Sequence, residues 1–220
     1  MRVPASRFRD GVWAAAPIVP PDLAFGVSFG VLARAAGFDP FSAVVMSATT
    51  FAGSAQFATV SILGSGGGLV AAVAAALLLN GRYAQIGVSV GSIFPGRAAR
   101  RVLESQLIVD ESWALASRGR QGFDRRVLLG AGAALWVTWT TGTLIGALAG
   151  KSLGDPEALG LDGAFPALFL ALLVPHTRGT RRVLSALAAA AVALALTPFS
   201  PPGVPIVAAA LVCVVGLRSR

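Results

Sequence analysis

Hydrogen-bonding side chains gather where this chain is otherwise apolar. Met46-Ser-Ala-Thr-Thr-Phe-Ala-Gly-Ser-Ala-Gln-Phe57 is uncharged and carries Ser47, Thr49, Thr50, Ser54 and Gln56, with Thr59 just beyond. In hydrocarbon each of these groups must find a partner. Membrane proteins keep such groups chiefly where they face other helices, a cavity or a ligand. A helix break near Gly53 would aim the N–H groups of a half-helix at an anion such as a substrate carboxylate. Thr50, Gly53, Ser54 and Gln56 are the candidates for that contact. Asn80, like Gln56, can donate and accept without net charge. For Ser47, Thr49 and Ser54 taken singly, interhelical packing is the plainer role.

Two charges interrupt apolar segments. Asp22 follows Pro20-Pro21 directly. It is a partner for a cation, a proton site or half of a buried pair, or it caps the half-helix that starts after Pro21. Arg82 is its natural opposite, because pairing offsets part of the cost of desolvating either alone. Alternatively, Arg82 snorkels toward the basic stretch that follows.

Bond-making chemistry has no comparable support. There is no HExxH, Walker loop or GxSxG, and Gly64–Gly68 lacks the Lys-Ser/Thr ending of a nucleotide loop. Cys213 and His176 are each the single residue of their type, so neither a disulfide framework nor a zinc or haem set is expected. No cofactor is called for, and the chain does not read as an enzyme.

The elements that must position these residues are membrane helices. The chain is 55% hydrophobic and 13% charged, against about 25% charged in soluble domains. Its net charge of +8 comes from basic residues in short blocks between apolar runs, the pattern of cytoplasmic loops and not of a nucleic-acid surface. Apolar segments run over about 11–36, 40–63, 69–94, 127–150, 164–175, 183–197 and 204–217. The whole chain, 1–220, reads as one all-α polytopic transmembrane domain. Discontinuous helices are expected near 17–22, from the prolines, and near 50–57. Gly26 and Gly30, and the series Gly142, Gly146 and Gly150, have the spacing that lets helix backbones approach closely. Residues 97–126 form a basic cytoplasmic region, and Arg101–Ser117 reads as an interfacial helix within it. Asp110-Glu111 there can simply neutralise neighbouring arginines.

Charge bias weighs six crossings against seven. If segment two enters and returns on one side, fifteen of the eighteen basic residues face the cytoplasm. Seven full crossings with an outside N-terminus place twelve there. The re-entrant arrangement also explains why segment two is the polar one, since broken backbone is tolerated where protein buries it.

Phe29-Gly30, Met46-Ser47 through Phe51-Ala52-Gly53-Ser54-Ala55-Gln56-Phe57, and Asn80-Gly81-Arg82-Tyr83 form a set. Asp110-Glu111, the Trp136–Gly146 pattern of Trp, Thr and Gly, and Leu159–Ala167 extend it over almost the whole chain. In these features the sequence resembles the AzlC family of branched-chain amino-acid permeases. Tyr83 stands where that family usually has His, and Pro20-Pro21-Asp22 is more polar and proline-rich than is usual. The resemblance implies a gradient-driven exporter of valine, leucine, isoleucine or close analogues. It also implies a multi-pass location in the bacterial cytoplasmic (inner) membrane and pairing with a small hydrophobic AzlD-like subunit. The rival is a non-transporting membrane scaffold or assembly subunit, in which helix contacts use up all the polar groups.

Overall fold

Prolines and capping acids decide where the helices of this chain begin. The computed structural model describes residues 6–150 and 179–200, together with 170, 174, 204–205, 208–209 and 211–212. Helix α1, Phe8–Ala15, opens with the Arg7 N–H donating to the Asp10 carboxylate at 2.7 Å. Pro17 has no N–H to continue the ladder, and α2, Val19–Ala35, departs at 71° to α1. The break expected near 17–22 is therefore present. Pro20 and Pro21 lie in the first turn of α2, where a missing donor costs nothing. They start the second helix and do not break it. Asp22 is a first-turn residue, its own N–H donating to the Ile18 carbonyl at 3.0 Å.

Asp39 caps α3, Pro40–Thr50, accepting from the N–H groups of Phe41 and Ser42 at 3.0 and 3.1 Å. The helix stops at Phe51, whose φ of 39° and ψ of 51° are left-handed, an uncommon conformation for a bulky residue. Helix α4, Gly53–Gly64, begins two residues later. The second expected discontinuity thus falls at residues 51–52. Next come α5, Leu69–Asn80; α6, Arg82–Val90; a 3-10 turn at Gly91–Ile93; α7, Ala98–Ser105; and α8, Asp110–Ala116. Asp124 caps the long α9, Arg125–Ala149, accepting from Arg126 and Val127 N–H at 3.0 and 3.1 Å. Thr180–Leu196 forms α10, and residues 204–205, 208–209 and 211–212 are helical as well. Among the described residues there is no strand, only an isolated bridge between Ser117 and Phe123.

Leu69–Ile93 and α9 are each 25 residues, long and apolar enough to cross a membrane, and the bent pair α1–α2 makes a third candidate. The described residues thus hold two or three spans of the expected six or seven. Most of segments five and seven, Leu159–Ala167, His176 and Cys213 lie outside the described residues.

One expectation is corrected. Arg101–Ser117 is not a single helix: α7 and α8 are separated by a turn at residues 106–109. The Ser112 hydroxyl accepts from the Val109 N–H at 2.9 Å and donates to the Leu107 carbonyl, starting a new helix there.

The chain divides into two units. The first, Met1–Arg34, Phe38–Ala52 and Gly81–Ser152, is built on α9. Along α2, glycines meet glycines of α9. A Cβ on Gly26 would lie 2.7 Å from the Trp139 carbonyl oxygen, and one on Gly142 would lie 2.6 Å from that of Leu23. Gly30 against Thr143, and Gly146 against Val27, are closer still. The contacts advance together along both helices, so α2 and α9 run parallel. Phe29 stacks on Trp139 in the same seam, ring centroids 6.3 Å apart. At the other end of α9, α1 packs through Gly11 and Gly130. Val90, Phe94, Ala116 and Leu128 form an apolar core nearby. The second unit, Ala35–Gly37, Gly53–Asn80 and Leu153–Arg220, packs α4 on α5 through Ile62, Ala72 and Ala75.

Candidate functional site

Four of the described apolar segments change character at their midpoint. In Phe8–Ala35 the midpoint is at Asp22, just beyond the bend. In Pro40–Gly64 it is the Phe51-Ala52 break, and in Leu69–Ile93 it is Gly81, between Asn80 and Arg82. In α9 it is Val137, between Trp136 and Trp139.

Within the first unit, helix α3 ends at the level of the middle of α9. The Ser47 and Thr143 hydroxyls are 2.8 Å apart, and Thr143 also donates to the Trp139 carbonyl. A helix that stops here leaves its last carbonyls without intrahelical donors. The Phe51 N–H takes the Ser47 carbonyl. Trp136 Nε1 donates to the Ala48 carbonyl at 2.8 Å. Gln106 Nε2 donates to the carbonyls of Ala48 at 3.2 Å and Thr49 at 2.8 Å. Gln106 belongs to the turn between α7 and α8, and its neighbour Leu107 packs against Gly132, two turns into α9. The end of α3 is therefore held by side chains and not by continuing backbone. Thr49 donates to the Val45 carbonyl of its own helix, and Thr50 is exposed at the helix end.

The charged residues sort themselves differently from the sequence expectation. Arg82 pairs with Asp110, N to O 2.9 Å, and not with Asp22, which makes no ion pair among the described residues. Its guanidinium also lies 5.3 Å over the Tyr83 ring. Asp110 sits at the start of α8, so the arginine it neutralises lies in a membrane segment and not beside it in the chain. The side chains of Arg82 and Asp110 are 40% and 42% exposed, so protein does not seal the pair. Asp22 lies within electrostatic reach of Glu111, the next residue of α8. One Asp22 carboxylate oxygen is buried and has no hydrogen-bond partner among the described residues. Asp22, Arg82, Tyr83, Asp110 and Glu111 thus form one mixed-charge cluster, contributed by α2, α6 and α8.

Gly53, Ser54, Gln56 and Asn80 belong to the second unit. Gly53 opens α4, as a half-helix N-terminus requires. Ser54 and Gln56 are buried in that first turn, and the Thr59 hydroxyl donates to the Ala55 carbonyl. Asn80 ends α5 with its side-chain oxygen buried and without a partner among the described residues. No metal-ligand cluster occurs among the described residues.

Sequence reasoning missed Gln106, Trp136 and the pairing role of Asp110. Nothing in the spacing joins Gln106 to Ala48. The acid pair Asp110-Glu111 did carry a signal, since acids are scarce in this chain. Arginines adjacent in the chain made local neutralisation the nearer explanation.

Comparisons with known proteins add to this picture. A family model described as AzlC protein matches residues 17–153, which include both helix breaks and the charged cluster. An uncharacterized membrane protein of Archaeoglobus fulgidus is 33% identical over 211 residues, covering 94% of this chain and 92% of its own. Inner membrane protein YgaZ of Escherichia coli K12 is 28% identical over 183 residues, 77% of this chain and 73% of its own. An uncharacterized membrane protein of Helicobacter pylori is 26% identical over 161 residues, 72% of this chain and 70% of its own. No solved structure matches.

Proposed function

Because the chain belongs to the AzlC family, a membrane transport family linked to amino acids, we propose that it exports branched-chain or other small aliphatic amino acids. Its place is then the inner membrane, with a small hydrophobic AzlD-like subunit as partner and an ion gradient as the driving force. The observation that carries this reading is Asp22: a carboxylate with one oxygen buried and unpartnered, at mid-segment, where the first membrane helix bends. Intramembrane acids without a structural partner belong to solute or ion pathways. A zwitterion has an ammonium group to offer that carboxylate. Separately, the first turn of α4, from Gly53 to Gln56, has backbone donors suited to a carboxylate, and Thr50, Asn80 and Arg82 are further candidates for the pathway.

The re-entrant course of residues 40–64 has its own support. Helices α2 and α9 run parallel, so the chain between them makes an odd number of crossings. With Leu69–Ile93 as the one crossing, this supports a course in which residues 40–64 enter and leave by the same side. An alkyl pocket discriminates weakly, one methylene being worth roughly 1–3 kcal/mol, so valine, leucine and isoleucine should all be carried.

Efflux of labelled valine and leucine from loaded proteoliposomes, with lysine as a polar control and the small subunit present or absent, tests the proposal. Faster loss of the aliphatic amino acids than from protein-free vesicles is expected. Identical loss in every arm ends the transporter reading.

A further inference from the structure

A surface with no role so far lies at the end of the first unit where α9 begins. Two sets of contacts bring basic residues there. The Ser6 hydroxyl bonds the Asp124 carboxylate and the Ser6 carbonyl accepts from Arg126 at 3.2 Å, so Arg7 and Arg9 stand beside the start of α9. Glu104 accepts from Arg100 at 2.7 Å and from Arg125 through both oxygens, which fixes α7 at the same end. Asp124 also takes Arg118 at 2.6 Å. These acids are then committed. Arg7, Arg9, Arg97 and Arg101 are exposed and make no ion pair among the described residues.

Helix α7 presents two faces at 100° per residue. Ala98, Ala99, Val102 and Leu103 share one arc, and the arginines and Glu104 share the other. No residue of α7 is buried, and Val102 and Leu103 are 68% and 75% exposed. Beside Arg7 and Arg9, the apolar side chains of Phe8 and Trp13 likewise face outward. Apolar side chains bare of protein, set directly beside unpaired guanidinium groups, match a surface that is oily below and negatively charged above.

We infer that this end of the protein binds anionic phospholipid headgroups, with Arg97 and Arg101 of α7 and Arg7 and Arg9 of the N-terminal segment contacting the phosphates. The apolar arc of α7 sinks to the acyl boundary, and the guanidinium groups reach up to headgroup level. Trp13 sits at the interface, where its amphipathic ring is favoured. A guanidinium fork fits a phosphate better than an ammonium does, and every basic residue at this end is an arginine. A soluble acidic partner would satisfy the charges but leave Val102 and Leu103 uncovered.

The test reads lipid retention, so it stands apart from transport. Protein purified in detergent is offered equal phosphatidylglycerol and phosphatidylcholine, washed, and its retained lipids are counted by mass spectrometry. Wild type should be enriched in phosphatidylglycerol. Removing an arginine near an anionic surface should weaken that preference about fivefold, so Arg97→Gln with Arg101→Gln, and Arg7→Gln with Arg9→Gln, should each erase most of it. Salt at about 1 M should do the same. None of these four side chains makes a hydrogen bond or ion pair in the described fold, so the variants should unfold at the wild-type temperature in phosphatidylcholine. Three results would overturn the inference: no enrichment in wild type, full enrichment in both double variants, or displacement of the lipid by matched inorganic phosphate. The last would mark a free-anion site.

Discussion

Helix α9 is packed in two contrasting ways within one unit. Toward its C-terminal half it meets α2 through glycines, backbone against backbone, with no side chain between Gly26, Gly30, Gly142 and Gly146. At its middle it meets the end of α3 through side-chain hydrogen bonds, from Trp136, Thr143 and, in the neighbouring turn, Gln106. The glycine seam has no slack, because even one methyl group would collide with a carbonyl. The capped end of α3 is held by donors that can exchange one acceptor for another. The transport proposed above would need both a frame that keeps its register and a broken helix whose end can shift, and the contrast offers different neighbours of one helix for the two parts.

The sharpest way to break the comparison is to put a side chain into the seam. Gly146→Leu should cost about 3 kcal/mol or more, since overpacking against fixed backbone leaves nothing able to give way. Thermal unfolding in detergent, or failure to recover folded protein, reads the effect. Gly87 is the control. It is helical with nothing within 4 Å of a built Cβ, so Gly87→Ala should stabilise by about 0.5–1 kcal/mol. Equal tolerance at both positions would mean that the seam is not a frame.

Asp22 adjoins the first residue of that seam, Leu23, so the frame fixes its position. Asp22→Asn keeps the shape and removes the charge. Flux in the vesicle assay should fall about tenfold or more, the scale set by losing a charged hydrogen-bond partner, while the unfolding temperature stays near wild type. Equal loss of stability and flux would make Asp22 a structural residue.

At the capped break the effects should be smaller and should divide between stability and flux. Gln106→Leu leaves the Thr49 carbonyl without its side-chain donor and the Ala48 carbonyl with Trp136 alone. A loss of about 1–2 kcal/mol is expected, with slowed flux. Gln106→Glu should be worse, because a carboxylate would face two carbonyls. Wild-type stability and flux in both variants would show that α3 does not depend on its cap.

Much of the frame was legible in the sequence. Pro17 and the neighbouring prolines marked the first break, the polar run through Gly53 the second, and the four-residue spacing of glycines on segments one and four identified two faces that turned out to pair with each other. What was not legible is which distant group completes each local feature. Asp22 and Arg82 are opposite charges in apolar segments, and desolvation alone made them natural partners. Arg82 instead meets Asp110, because the turn at 106–109 carries the start of α8 inward, and that turn is stabilised by Gln106 and Ser112, whose partners no local pattern predicts. Hydrophobic periodicity therefore suggested one surface helix at 101–117 where the chain makes two.

The N-terminal end of α9 offers a third kind of joint, ionic and water-facing, and the smallest expected effect. Arg125, with Arg100 behind it, holds the Glu104 carboxyl below its ordinary 4.5. Burial works to raise Asp124, but the Ser6 hydroxyl, the Val127 amide, Arg118 and the Arg126 amide outweigh it and bring it below 3.8. Both groups are thus more acidic folded than unfolded. Their contribution is complete above the unfolded values and is lost as pH falls toward the folded ones, because the unfolded chain takes up the protons first. The unfolding temperature should be flat from about pH 8 to 5 and should decline below about 4.5. Glu104→Gln should lower the plateau slightly and make the acid decline shallower. An unchanged acid slope in that variant would show that the ion pairs decorate the joint between α7 and α9 without holding it.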